Sequence, residues 1–225
     1  MEIEPIAYIH TDFKEKFGIP RQSGRVPTAV GIIVFTPKYR DPEALRGIES
    51  FSHLWLLFDF SEAHRENLSP TVRPPRLGGN TRVGVFASRS PFRPNNIGLS
   101  CVRLIGVEKN GHDGMTLIVS GVDLLDMTPI YDIKPYIPHS DCISDAIGGY
   151  ADAFAEYKLQ VIFPNELLLL LPDDKKQAVI DCLADDPRPA YQNDPERIYS
   201  MAFSSWDVRF TVCGNVLTVL EVVRR

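Results

Sequence analysis

Along the first 135 residues, apolar positions fall in short runs of the strand type. "PIAYIH" and "TAVGIIVF" predict two strands, the second ending before Thr36-Pro37. "SHLWLLFDF", Ser52 to Phe60, is nearly continuous in apolar residues and predicts a strand buried on both faces. "TRVGVFAS" alternates more clearly. "LSCVRLIGVE" and "MTLIVSGVDLL" flank "KNGHDG", where Asn110-Gly111 marks a hairpin. "IYDIKPY" adds a last strand, stopped by Pro135. Between them, "DPEALRGIESF" predicts one short helix, with Asp41 as its cap and Pro42 at its first position. Six or so short strands with few helices among them predict an antiparallel or mixed β-barrel, not a doubly wound sheet.

From Ile137 to Asp152 the periodicity lapses and Pro138, Gly148 and Gly149 appear, as in a linker. Beyond it, "AEYKLQVIF" predicts a strand, "NELLLLL" a helix ended by Pro172, and "DDKKQAVIDCLADD" a second helix. "DVRFTV" and "VLTVLEVV" predict a hairpin through Gly214-Asn215. The expected fold is mainly β: a barrel domain over residues 1–140, a linker over 141–152 and a small α+β domain over 153–225.

Charge changes this picture at one place. The 225 residues carry a net charge of −5, which by itself argues against a nucleic-acid partner. From Arg65 to Arg103, however, there are seven arginines, no lysine and one acid, Glu66. That window is +6, so the remainder must be −11 to give −5 overall. Arginine forks onto phosphates and carboxylates and stacks on flat rings. Prolines at 70, 74, 75, 91 and 94 stiffen the same stretch, so a ligand docking there meets a pre-organised surface. A second polar knot, "SGVDLLDMTPIYDIKPY", sets Asp123, Asp126 and Asp132 around a strand end. An acidic cluster meeting an arginine loop suits a zwitterionic ligand.

Other chemistries lack their signatures. The five histidines show no HxH or HExxH spacing, and no metal site is expected. There is no GxSxG elbow, P-loop or GxGxxG. No run approaches the roughly 20 apolar residues of a membrane span, and "MEIEPIAYIH" does not read as a signal peptide. Cys101, Cys142, Cys182 and Cys213 form no CxxC pair, as expected of reduced thiols in a cytoplasmic protein.

Four segments, "PRQSG" (Pro20–Gly24), "RPPRLGGNTRVGVFASRSPFRPNNIGLS" (Arg73–Ser100), "VDLLDMTPIYDIKPY" (Val122–Tyr136) and "DPRPAY" (Asp186–Tyr191), closely resemble the TrmO family of S-adenosylmethionine-dependent tRNA methyltransferases. The resemblance implies a non-Rossmann β-barrel methyltransferase with a small C-terminal domain, acting as a homodimer. Its reaction would be methylation of the exocyclic nitrogen of threonylcarbamoyladenosine at tRNA position 37, beside the anticodon. It further implies that S-adenosylmethionine contacts Ser23, Gly24, Arg25, Ser61, Glu62, Arg89, Leu99 and the run Ser120, Gly121, Val122 and Asp123. Substrate contacts would fall on Arg73, Arg76, Arg93, Asn95, Lys134, Arg188 and Tyr191. The target nitrogen is urea-like and poorly nucleophilic, so a nearby proton acceptor would help; Asp123 and Asp126 are the candidates, with Tyr131 and Asp132 as alternatives. Two other classes stay open: a non-catalytic β-barrel RNA-binding module, and a methyltransferase of this fold acting on a small molecule or protein.

Overall fold

Alternation decides which residues face inward. The structure, a computed structural model, describes residues 2–189, 191–192 and 194–225. Its first half contains β1 (Ala7–Thr11), β2 (Val30–Phe35), β3 (His53–Asp59), β4 (Thr71–Val72), β5 (Val83–Gly84), β6 (Ile97–Asn110), β7 (Gly114–Ser120) and β8 (Thr128–Pro135). Six of these close into an antiparallel barrel in the order β1-β2-β7-β6-β3-β8, with β8 returning to pair with β1. Ile9, Ile33, Leu54, Leu56, Val102, Leu117, Val119 and Ile130 fill its interior.

The predicted strand at Ser52 to Phe60 forms as β3, but only Leu54, Leu56 and Phe58 are buried. An antiparallel barrel wall has one face toward solvent, so Trp55 and Leu57 sit half-exposed on the outside. Trp55 is covered there by Tyr136, and its Nε1–H donates to Asp141 at 3.0 Å. The predicted helix after Asp41 is two 3-10 turns, Pro42–Leu45 and Ile48–Ser50. Asp41 does cap the first, accepting from the Glu43 N–H, but Gly47 at φ 86° breaks the run. "TRVGVFAS" yields only β5, paired with β4, and a 3-10 turn at Val85–Ala87.

Past the barrel come α1 (Pro138–Asp141), β9 (Gln160–Ile162), α2 (Asn165–Leu168), α3 (Asp173–Ala184), β10 (Tyr199–Phe203), β11 (Trp206–Cys213) and β12 (Val216–Arg224). The second sheet runs β10-β11-β12-β9, with β9 parallel to β12. Burial of Ala178, Val179, Cys182 and Leu183 seats α3 in the core that this sheet shares. β10 has no counterpart in the sequence-based expectation. Phe13 meets Phe203 edge-on at 5.6 Å, joining barrel and second sheet through apolar contact. No helix among the described residues is long and apolar enough to cross a membrane.

Candidate active site

A seam opens where β6 outruns its partner. β6 pairs with β7 only from Arg103 onward, whereas its first half, Ile97 to Val102, pairs with β3 alone. The turn after Pro20 enters this gap. Gly24 N–H donates to Gly121 O at 2.8 Å, and Cys101 N–H donates to Ser23 Oγ at 3.1 Å. Gly24 and Gly121 have φ of 77° and 76°, and a Cβ on Gly121 would come within 3.3 Å of the Gly24 backbone. Two glycines are thus what lets these turns touch. Since the Cys101 N–H points into the seam and away from β3, antiparallel alternation turns the Leu99 N–H and C=O the same way. β7 has already ended there, so this donor and acceptor face the opening.

Asp123 closes the inner end of the seam. Ser100 Oγ–H donates to its carboxylate at 2.6 Å, from the β6 residue between Leu99 and Cys101. Burial pushes the Asp123 carboxyl up to about 6, against hydrogen bonds from Ser100 and the Ser23 backbone and the charge of Arg89. Arg89 itself donates to Gln22 Oε1 at 2.5 Å, which fixes the turn carrying Ser23. At the other end, Phe60 N–H donates to Asn96 O at 2.8 Å, tying the Ser61-Glu62 turn to the arginine loop. Lys16 holds Glu62 through its carbonyl at 3.0 Å and its carboxylate at 3.1 Å. Ser23, Gly24, Arg89, Leu99, Gly121 and Asp123 therefore converge. Ser120 and Val122 are buried and leave the seam only their backbone.

The Arg25 side chain points away from the seam, which leaves only its backbone there. Its Nε meets Asp185 Oδ1 at 2.5 Å, and Nη1 and Nη2 donate to the Ala155 and Tyr157 carbonyls, each at 2.9 Å. Its guanidinium thus ties the barrel to the segment before β9 and to the C-terminal end of α3, and does not enter the seam. Asp126 lies elsewhere too, at the end of β1, accepting from Thr11 N–H at 2.9 Å and pairing with Lys14 at 2.7 Å. Partial burial raises its carboxyl, but the Lys14 and Thr11 bonds and the Lys14 charge hold it below the usual range overall. Tyr131 has its phenol raised by burial, then by Asp59, and Asp132 pairs with Lys134 at 2.8 Å on the outer wall.

The arginine stretch borders the seam as a braced rim. Among the described residues, none of Arg65, Arg73, Arg76, Arg82, Arg89, Arg93 and Arg103 forms an ion pair with a carboxylate; those pairs all involve cations elsewhere. Instead, Arg65 lies over the Phe92 ring at 3.5 Å, and Arg76 lies over Tyr157 at 4.6 Å. Arg93 donates to the Ser88 and Ser90 carbonyls at 3.1 and 3.3 Å, and Asn96 Nδ2 donates to Pro91 O at 2.8 Å. Arg73, Arg82, Arg89 and Asn95 are exposed.

Residues 8–142 match the tRNA-methyltransferase O N-terminal domain family, and residues 156–225 match the TrmO C-terminal domain family. The chain belongs to the TrmO family. It is 42% identical over 219 residues to the tRNA (adenine(37)-N6)-methyltransferase of Escherichia coli (strain K12), covering 94% of this chain and 93% of that one. A Pseudomonas aeruginosa protein, named as an S-adenosylmethionine-dependent methyltransferase, is 43% identical over 217 residues, covering 92% and 91%. The crystal structure of TrmO from Pseudomonas aeruginosa superposes with a TM-score of 0.81 at 37% identity, covering 100% of this chain and 97% of that one.

One residue of the predicted TrmO-type tRNA surface needs correction. Arg188 is 5% exposed, and its guanidinium grips Asp186 through Nε at 2.9 Å and Nη2 at 3.2 Å. Its carbonyl accepts from Arg21 Nη2 at 2.6 Å. As placed, Arg188 is an internal clamp, because a carboxylate two residues upstream satisfies it before any phosphate can. Tyr191 of the same motif stays exposed, close enough to the arginine loop that a Cβ on Gly79 would lie 3.0 Å from its ring. Three contributors escaped the sequence reading: Ser100, Gln22 and Asp185. Ser100 had a signal, since it is the polar inward position of an otherwise apolar alternation. Asp185 had none, because its role depends on cations far away in sequence. A cavity of about 80 Å³ lined by Lys16, Gly18, Arg21, Asp185 and Asp186 lies behind the Ser23 turn. It belongs to the ionic junction between barrel and second sheet.

Proposed function

We propose that this chain methylates the exocyclic N6 of adenosine 37 in tRNA with S-adenosylmethionine as donor, and that the acceptor is the threonylcarbamoyl form of that adenosine. The observation that carries the reading is the open β6 edge, flanked by Asp123 and Arg89, beside arginines that form no ion pair with a carboxylate among the described residues. The seam fits the donor by its own geometry. Leu99 offers a backbone donor and acceptor side by side, and the glycine contact leaves the approach free of side chains. When bound, S-adenosylmethionine supplies a methyl group already activated by the sulfonium charge.

The chain's own residues then have two tasks. The Gln22–Gly24 turn and the Leu99 edge fix the donor relative to the acceptor, an alignment worth up to roughly 7–11 kcal/mol in favourable cases. Asp123 accepts the N6 proton on Oδ2, while Ser100 holds Oδ1. A carboxyl near 6 is a stronger base than an ordinary one and is still ionised at neutral pH. Arg73, Arg76, Arg82 and Arg93, with Asn95, Lys134 and Tyr191, line the approach for phosphates, the threonyl carboxylate and loop bases. The division of labour we infer follows residues 1–140, 141–152 and 153–225, with donor binding in the first. We also place the chain in the cytoplasm as a homodimer. The apolar outer patch of Val30, Ile32 and Ile105 offers a surface for the second copy.

Binding of tRNA should weaken steeply with salt, the logarithm of affinity falling by about 0.7 to 0.9 per neutralised phosphate for each unit of log salt. Arg73→Ala and Arg82→Ala should each flatten that slope by up to about one phosphate. Affinity independent of salt, or slopes that neither substitution changes, would remove RNA from the reading.

A further inference from the structure

Phe86 is 80% exposed, the most exposed aromatic residue among those described. It does not sit on a loose tip. It is the middle residue of the 3-10 turn Val85–Ala87, whose Val85 is buried. Val85 N–H donates to Pro70 O at 2.9 Å, and Ser88 Oγ–H donates to Val85 O at 2.9 Å. The backbone therefore presents the ring at a fixed place on the arginine rim. The two other aromatics of the rim are engaged: Arg65 covers one face of Phe92, and Tyr191 packs toward Gly79. Phe86 has no such cover.

A phenyl ring left in water forgoes the stabilisation of burial; held on a rigid mount beside the arginines, it is placed to meet an occupant. Protein partners would have to bring a field of carboxylates to face the unneutralised arginines. A single-stranded RNA brings phosphates and flat bases together, and stacking on an aromatic ring is the usual way an unpaired base is held.

We infer that Phe86 is a stacking platform for an unpaired base of the tRNA loop, seated while Arg82 and Arg93 on either side in sequence meet the backbone. This rests on the tRNA reading above. Stacking positions the loop without touching the donor.

The test uses the full chain and an unmodified anticodon stem-loop. Phe86→Ala should bind the stem-loop roughly five- to a hundredfold more weakly, with unchanged S-adenosylmethionine affinity and an unchanged unfolding midpoint. Phe86→Trp should keep the affinity, and its added emission, measured against wild type, should be quenched by the stem-loop but not by duplex RNA. Equal binding by Phe86→Ala, or tryptophan emission insensitive to the stem-loop, overturns the inference. So does a change in sedimentation of Phe86→Ala with RNA affinity intact, which would assign the ring to contact between copies. Failure of the wild-type chain itself to bind the stem-loop would overturn the tRNA reading as well, and so is told apart.

Discussion

Asp123→Asn should lower the turnover of methyl transfer by roughly 10²- to 10⁴-fold, the usual contribution of a positioned proton acceptor, with donor affinity little changed. The pH dependence carries the signature. In the wild-type chain the rate should rise with pH through about 6, where Asp123 loses its proton, and level off above it. In Asp123→Asn that limb should vanish. Stability should move the opposite way. Burial raises the Asp123 carboxyl from 3.8 to about 6, so the fold favours the protonated form. Its stabilising contribution is full below about 4 and is lost as pH rises through about 6, a change of about 3 kcal/mol. Asp123→Asn, permanently neutral, should therefore be more resistant to urea than the wild type at pH 7. A variant that keeps its activity, or a pH limb unaffected by the change, would show that the carboxylate serves only to brace Ser100 and Ser23.

Arg89→Ala should weaken S-adenosylmethionine binding by roughly tenfold to a hundredfold, the range for losing a charged hydrogen bond. Two causes act together. Gln22 loses the guanidinium that holds the Ser23 turn against the seam, and the donor loses a neighbouring group. The side chain is exposed, so unfolding should shift by no more than about 0.5 kcal/mol. Removing its charge should also move the Asp123 pH limb upward, since that charge opposes the effect of burial. Calorimetry on a folded variant with unaltered donor affinity would withdraw Arg89 from the site.

The barrel was legible because antiparallel walls impose a period of two, and the strands around Ile9, Ile33 and Val102 bury alternate residues. β3 misled because Trp55 and Leu57 are apolar on the outer wall, and burial by neighbouring side chains cannot be seen in a single strand's pattern. β10 was invisible for a related reason. "YSMAF" is five residues with only Ser200 exposed, too short and too uniformly apolar to show alternation. The charge segregation in the arginine window was readable by counting, and the rim it forms is what counting implied. The seam itself was not. Nothing local to Gly24 or Gly121 says that they touch; the family resemblance put both among the donor contacts, and the structure supplies the hydrogen bond between them. Arg188 shows the reverse failure: a residue type that suits phosphate, silenced by Asp186 two positions away.

Mass spectrometry of nucleosides from tRNA incubated with the purified chain and methyl-labelled S-adenosylmethionine addresses the central claim without intermediaries. One labelled methyl group on the N6 of threonylcarbamoyladenosine, formed roughly 10²- to 10⁴-fold more slowly when Asp123→Asn replaces the wild type, is the result expected. Label on another nucleoside, or none with folded, donor-binding protein, would contradict it.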